Sequence, residues 1–157
     1  AGIHRVYSPV SKLRNILELD SMGFPREEYT LTQSAILTLM GIRQNDDVDV
    51  IVSTELRKQL LGGEAEHIKK GNVEIFSLNR FKFAYFDAQG DDDLIKNYSK
   101  IIDGYNFLQP RFYFARKNKS SERDKRDWEG IYNFKVKELY KGYPFNVFTK
   151  KEWGFSE

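Results

Sequence analysis

Gln33-Ser34-Ala35-Ile36-Leu37-Thr38-Leu39-Met40-Gly41-Ile42-Arg43-Gln44-Asn45-Asp46-Asp47-Val48-Asp49-Val50-Ile51-Val52-Ser53 is the stretch whose reading decides the fold. Its end reads as a strand that opens on acidic residues. Asp47 and Asp49 are two apart, so in an extended chain they leave the same face, while Val48, Val50 and Val52 line the other and point to a core. Two neighbouring carboxylates repel one another unless a cation lies between them. Hard oxygen ligands of this kind suit Mg²⁺ or Mn²⁺, held by one or two carboxylates plus substrate phosphates. A metal–phosphate site is one reading. The other is a solvated turn at the mouth of a hydrophobic strand, because Asn45-Asp46-Asp47 also has turn composition.

Upstream, Tyr29-Thr30-Leu31-Thr32 reads as a short strand and Gln33-Ser34 as a turn. Ala35 to Met40 then forms a short apolar helix closed by Gly41. Strand, turn, helix and acidic strand make one unit.

That unit resembles the nucleotidyltransferase superfold, in the version of the minimal and AbiEii-toxin-like nucleotidyltransferases. Their pattern is a Gly-Ser turn at a helix start, a hydrophobic-Asp-hydrophobic-Asp/Glu strand and a third carboxylate on a neighbouring strand. Ser34 matches the serine, and Asp47 and Asp49 match the metal-binding pair. Gln33 stands where the family has glycine, a residue that lets backbone N–H groups approach a phosphate closely. Leu39-Met40-Gly41-Ile42-Arg43 is similar to the family's approach segment. The resemblance covers roughly Tyr29 to Tyr132 and implies an α/β (α+β) domain with a small mixed sheet flanked by helices.

The chain has 157 residues, with 25 Lys and Arg against 23 Asp and Glu, a net charge of +2. This length suits a single domain, residues 1–157, with a core at about 29–141 and an aromatic tail at 142–157. A near-balanced charge leaves any nucleic-acid affinity to a local patch. Cysteine is absent, which removes disulfides, thiolate zinc sites and a cysteine nucleophile, and fits a cytoplasmic protein. No apolar run approaches the ~20 residues that span a bilayer, so no membrane partner is expected.

Elsewhere, Ser8-Pro9 reads as a helix start, with Val10, Leu13, Ile16 and Leu17 as its stripe and Gly23-Phe24-Pro25 as its end. Ser53-Thr54-Glu55 begins another helix, with Leu56, Leu60 and Leu61 apolar and Gly62-Gly63 as its stop. Residues 64–71 read as a polar loop. His4 reads as a surface residue, and His67 lacks a second histidine or cysteine that would make a zinc site. In the strand Val73-Glu74-Ile75-Phe76, Glu74 faces away from Val73 and Ile75. It is the candidate third carboxylate if that strand lies beside the one carrying Asp47 and Asp49; an exposed edge glutamate is the alternative. Phe81 to Phe86 reads as a further strand. Asp91-Asp92-Asp93 precede the helical run 94–102 and complement its dipole, so they stay outside the site. Gly104 to Leu108 reads as a turn and short strand, and Arg111 to Arg116 as a helix.

Residues 116–128 form the most basic stretch, and Arg123-Asp124-Lys125-Arg126-Asp127 resembles the family's basic helix start. Lys117, Lys119, Arg123 and Lys125 are candidates to neutralise a triphosphate or acceptor phosphates. A solvated face is the plainer reading, since Ser121-x-x-Asp124 is like a capping box. Trp153 and Phe155 suggest that the tail docks on the body or on a missing neighbour.

The resemblance implies a metal-dependent enzyme that transfers a nucleoside monophosphate from an NTP to a hydroxyl on RNA, a protein or a small molecule. Asp47, Asp49 and Glu74 would be catalytic and hold Mg²⁺ (or Mn²⁺). Ser34 and Gln33, with Arg43 and the basic loop, would bind phosphates. Two alternatives stand beside it: a D-x-D glycosyltransferase using a nucleotide-sugar, and an inactive nucleotidyltransferase-like binding module.

Overall fold

The computed structural model describes residues 9–86, 88–114, 122, 125–127, 129–130 and 148–153. The alternation read in the central stretch is realised as two antiparallel strands, β1 (Tyr29–Thr32) and β2 (Val48–Val52), in register from Tyr29 opposite Val52 to Thr32 opposite Asp49. Helix α2 (Ser34–Leu39) joins them. Beyond β2, helix α3 (Thr54–Leu61) starts where the Ser53 side chain accepts a hydrogen bond from the Leu56 N–H, 3.1 Å away, which satisfies one of the unpaired donors of its first turn.

Five more strands complete the sheet: β3 (Glu66–Lys70), β4 (Val73–Leu78), β5 (Phe81–Tyr85), β6 (Ser99–Ile102) and β7 (Tyr105–Leu108). The seven strands lie in the order β3-β4-β5-β2-β1-β7-β6. Pairing is parallel at β2/β5 and β1/β7 and antiparallel elsewhere. This is the mixed α/β architecture that the sequence implies.

Register sorts the side chains onto two faces. Leu31, Val50, Phe83 and Phe76 are paired across β1, β2, β5 and β4, and all are buried in one core with Ile36 of α2 and Leu56 and Leu60 of α3. Phe148 and Trp153 from the tail belong to the same core, so the described part of the tail does dock. The opposite face carries Thr32, Asp49, Lys82 and Ser77, and one row further Thr30, Ile51, Ala84 and Ile75. Helix α4 (Ala88–Asn97) borders that face.

Three local expectations are corrected. The N-terminal helix is two pieces, a 3₁₀ turn at Pro9–Lys12 and α1 (Ile16–Ser21), because Asn15 takes a left-handed conformation (φ 67°) between them. Val10, Leu13 and Ile16 are still buried, but Leu17 is 81% exposed. The loop read at 64–71 holds the edge strand β3, whose side chains are all exposed, so no inside–outside alternation marks it. The helical run 94–102 ends at Asn97, and β6 forms a hairpin with β7 around Asp103-Gly104, both at positive φ (50° and 84°). Asp-Gly is the turn dipeptide that such tight hairpins favour. Among the described residues no helix is long and apolar enough to cross a membrane.

Candidate functional site

The pairing of β1, β2 and β5 sets Asp49 between Thr32 on one side and Lys82 on the other, with Ser77 of β4 beyond the lysine. Neighbouring strands are about 4.8 Å apart, so these four polar side chains form a short row across one face. Asp47, one residue before β2, meets the same lysine: Lys82 Nζ lies 3.6 Å from Asp47 Oδ2, with both side chains about half-exposed. The next row inward is apolar at Ile51, Ala84 and Ile75. A groove of about 1010 Å³ runs over both rows, with Thr32, Gln33, Asp49 and Lys82 among its lining. Its far walls are α4, through Asp91, Asp93 and Leu94, and the start of α5 (Arg111–Phe114).

The turn before α2 is tied to the acidic strand. Ser34 is buried and its Oγ donates to the Asp47 carbonyl oxygen, 3.1 Å away. Gln33 sits at φ 58°, ψ −125°, a conformation in which glycine is at ease and an L side chain is strained. The backbone is thus the one a glycine would adopt, although glutamine occupies it. Buried Asn45 anchors the connection from α2 to β2. Its Oδ1 accepts from the Arg14 N–H and the Gln44 side chain, each at 2.9 Å, and its Nδ2 donates to the Arg14 carbonyl at 3.3 Å.

Glu74 does not join Asp47 and Asp49. It lies on β4, with β5 interposed between that strand and β2. It is paired with Tyr85, three residues from Lys82, and therefore occupies the opposite face from Asp49. There Glu74 is clamped by Arg57: it accepts from Arg57 Nε and, at 2.8 Å, from a terminal guanidinium nitrogen. This bond, more than any other influence, holds its carboxyl below the ordinary glutamate range. His67 stacks on Phe76 with ring centroids 4.4 Å apart and has Nε2 3.7 Å from Glu74.

Arg43 is likewise engaged elsewhere. Its guanidinium grips Asp127 in a two-pronged pair of 2.6 and 3.1 Å, and Asp127 is only 1% exposed. A phosphate role for Arg43 would compete with that pair. Lys117, Lys119 and Arg123 lie outside the described residues; Lys125 is exposed, with Nζ 3.5 Å from Glu122.

Among the described residues, no group of three or more His, Cys, Asp and Glu side chains could hold a metal ion. The Asp47–Asp49 pair offers two carboxylates, one fewer than such a group needs. Comparison with protein families, with curated proteins and with solved structures finds no match for the chain.

Four groove residues escaped the sequence reading. Lys82 alternates with buried Phe81 and Phe83, so its outward direction was legible but its neighbour was not. Thr32 is 4% exposed and its Oγ1 has no hydrogen-bond partner among the described residues. Arg111 lies over the rings of Phe112 and Tyr98, at 4.8 and 5.8 Å from their centroids, and its buried Nε has no hydrogen-bond partner among the described residues. Asp93 reaches the groove from the acidic run in the middle of α4 and accepts from Asn97 Nδ2 at 2.5 Å.

Proposed function

We propose that this domain binds a nucleoside triphosphate over the β2 acidic pair and transfers its nucleoside monophosphate to an acceptor hydroxyl. The observation that carries the reading is the joint placement of Asp47 and Asp49 beside a strand–turn–helix unit whose turn keeps a glycine-type backbone and is tied by Ser34 to Asp47. Asp47 and Asp49 would hold one Mg²⁺. Such an ion, when bound, neutralises phosphate charge and polarises the α-phosphate.

The chain's own residues do the rest. Lys82, beside the acidic pair, contacts the phosphates. Thr32 and Arg111 offer buried polar atoms without partners among the described residues along the groove, and hydrogen bonds to a ligand would remove their desolvation penalty. The acceptor oxygen attacks the α-phosphorus, the bond to the departing pyrophosphate breaks, and the hydroxyl proton passes to a carboxylate. With Glu74 on the other face, this reading assigns that proton to Asp93 on the α4 wall.

A second reading is an inactive nucleotidyltransferase-like binding module. Lys82 at the position adjoining Asp49, and Gln33 in a glycine conformation, favour it. The glycosyltransferase reading gains no comparable support, because the strand beside β1 on the acidic side is antiparallel and not part of a parallel βαβ half.

Calorimetric titration of each NTP in Mg²⁺ and in EDTA, on wild type and on Asp47→Asn/Asp49→Asn, separates these readings. Metal-dependent binding that is lost in the double variant, with pyrophosphate released in the presence of an acceptor, is the expected result. Binding without turnover across RNA, protein and small-molecule acceptors favours the module. Binding of a nucleotide-sugar alone, in Mn²⁺, revives the glycosyltransferase, and binding of neither overturns the nucleotide readings together.

A further inference from the structure

We infer that β3 is a dimer interface, pairing antiparallel with β3 of a second copy of this chain about a two-fold axis at Ile68 to make one continuous sheet. The inference is independent of the nucleotide reading, since it uses no residue of the acidic pair. β3 is the last strand of the sheet, paired with β4 on one side and meeting no strand on the other among the described residues. All five of its side chains, Glu66 to Lys70, are exposed. A free strand edge presents a row of unpaired N–H and C=O groups, a template for another strand. The opposite end of the sheet differs, because Lys100 of β6 lies 3.3 Å from Glu152 of the tail.

Charge decides which strand fits. Lysines on an edge ordinarily keep other strands away, and β3 carries Lys69 and Lys70. Yet Glu66-His67-Ile68-Lys69-Lys70 is complementary to its own reverse. In antiparallel pairing centred on Ile68, Glu66 stands opposite Lys70 of the second copy, and Lys70 opposite its Glu66. Opposite charges directly across a strand pair stabilise it, and like charges oppose it. A slip of one residue would set Ile68 against His67 and turn the second copy's groove to the other side of the sheet.

Register carries the fit across the sheet. Glu66, Ile68 and Lys70 share the groove face, because they pair with Ser77, Ile75 and Val73 of β4, and Ile75 and Val73 line the groove. Ile75 is paired in turn with Ala84, and Ala84 with Ile51. Ile68, 42% exposed, therefore ends an apolar row that begins at Ile51. Two-fold pairing sets Ile68 against Ile68 of the second copy and joins the two rows into one apolar band, removing side-chain surface that is open to water in the single chain. The Glu66–Lys70 pairs border that band on both sides. On the far face His67 comes opposite Lys69 of the second copy, a lysine that already faces Glu74 in its own chain.

The test is sedimentation velocity over a concentration series, on wild type, Glu66→Lys, Lys70→Glu and the exchange Glu66→Lys/Lys70→Glu. These variants alter exposed side chains alone, so the core is untouched. Wild type dimerises reversibly. Each single reversal sets like charges opposite one another at both ends of the contact and weakens the dimer by about tenfold, whereas the exchange restores opposite charges and returns the affinity to within about threefold of wild type. Position is read with cysteine, which the chain lacks. Residues directly opposite in an antiparallel pair have Cα atoms about 4.5–5.5 Å apart, within disulfide reach. Mild oxidation therefore converts Ile68→Cys into a covalent dimer on non-reducing electrophoresis, while Ile101→Cys, 72% exposed on the other edge of the sheet, remains a single chain. A wild type that stays monomeric up to about 1 mM, a dimer indifferent to both reversals, or cross-linking at Ile101 in preference to Ile68 would each overturn the inference.

Discussion

Asp49 and Glu74 stand on opposite faces of one sheet, with β5 between their strands: Lys82 faces Asp49 and Tyr85 faces Glu74. The two carboxylates consequently have different work. Asp49 lines the groove, whereas Glu74 fastens α3 to β4 through Arg57.

This division sets a pH signature. Because Arg57 holds the Glu74 carboxyl below its ordinary range in the fold, the unfolded chain binds that proton more readily. The stabilisation is complete above the unfolded glutamate pKa, about 4.3, and is lost as pH falls through the lower folded value. In Glu74→Gln the thermal midpoint should fall less steeply than in wild type as pH drops from about 6 to 3, while Mn²⁺ binding is unaffected. Parallel acid limbs in the two proteins would contradict the assignment.

Gln33 offers a test in the opposite direction. A non-glycine residue at φ 58°, ψ −125° carries strain of roughly 1–3 kcal/mol, and glycine gives back part of the relief through its freer unfolded state, about 0.5–1 kcal/mol. Gln33→Gly is expected to stabilise by about 1 kcal/mol and raise the melting midpoint by roughly 2–4 °C. Gln33→Ala, strained in the same way, should bring no such gain; differential scanning calorimetry on the three proteins decides the matter.

The Arg43–Asp127 pair is the third case. Removing the guanidinium strips a carboxylate that is 1% exposed of its two-pronged partner, and breaking a buried pair by deleting one side costs about 3 kcal/mol. Arg43→Ala should lose stability on that scale in urea denaturation. Arg43→Lys recovers only part, since an ammonium cannot reproduce the planar fork. A loss below about 1 kcal/mol would show that the pair contributes little.

Much of the fold was legible because its signals are local. The β1–turn–α2–β2 unit, the Ser53 cap of α3, and strands β4, β5 and β7 all follow from alternation, capping and glycine placement over a few residues. Where a signal was weak or misread, the element was lost. β3 buries neither face, so its polar sequence reads as a loop, and the Asp103-Gly104 hairpin was hidden by the apolar run that precedes it.

The sequence by itself determined that Val48, Val50 and Val52 face a core and that Asp49 faces away from it, because successive side chains in a strand must alternate. Only the tertiary structure decided what Asp49 faces. Alternation says which side of a strand a residue occupies, but the strand laid beside it is selected by long-range hydrogen-bonded pairing and joint burial of Leu31, Val50, Phe83 and Phe76. That selection brought Lys82 beside Asp49, sent Glu74 to the far face, and set Arg43 against a carboxylate 84 residues away.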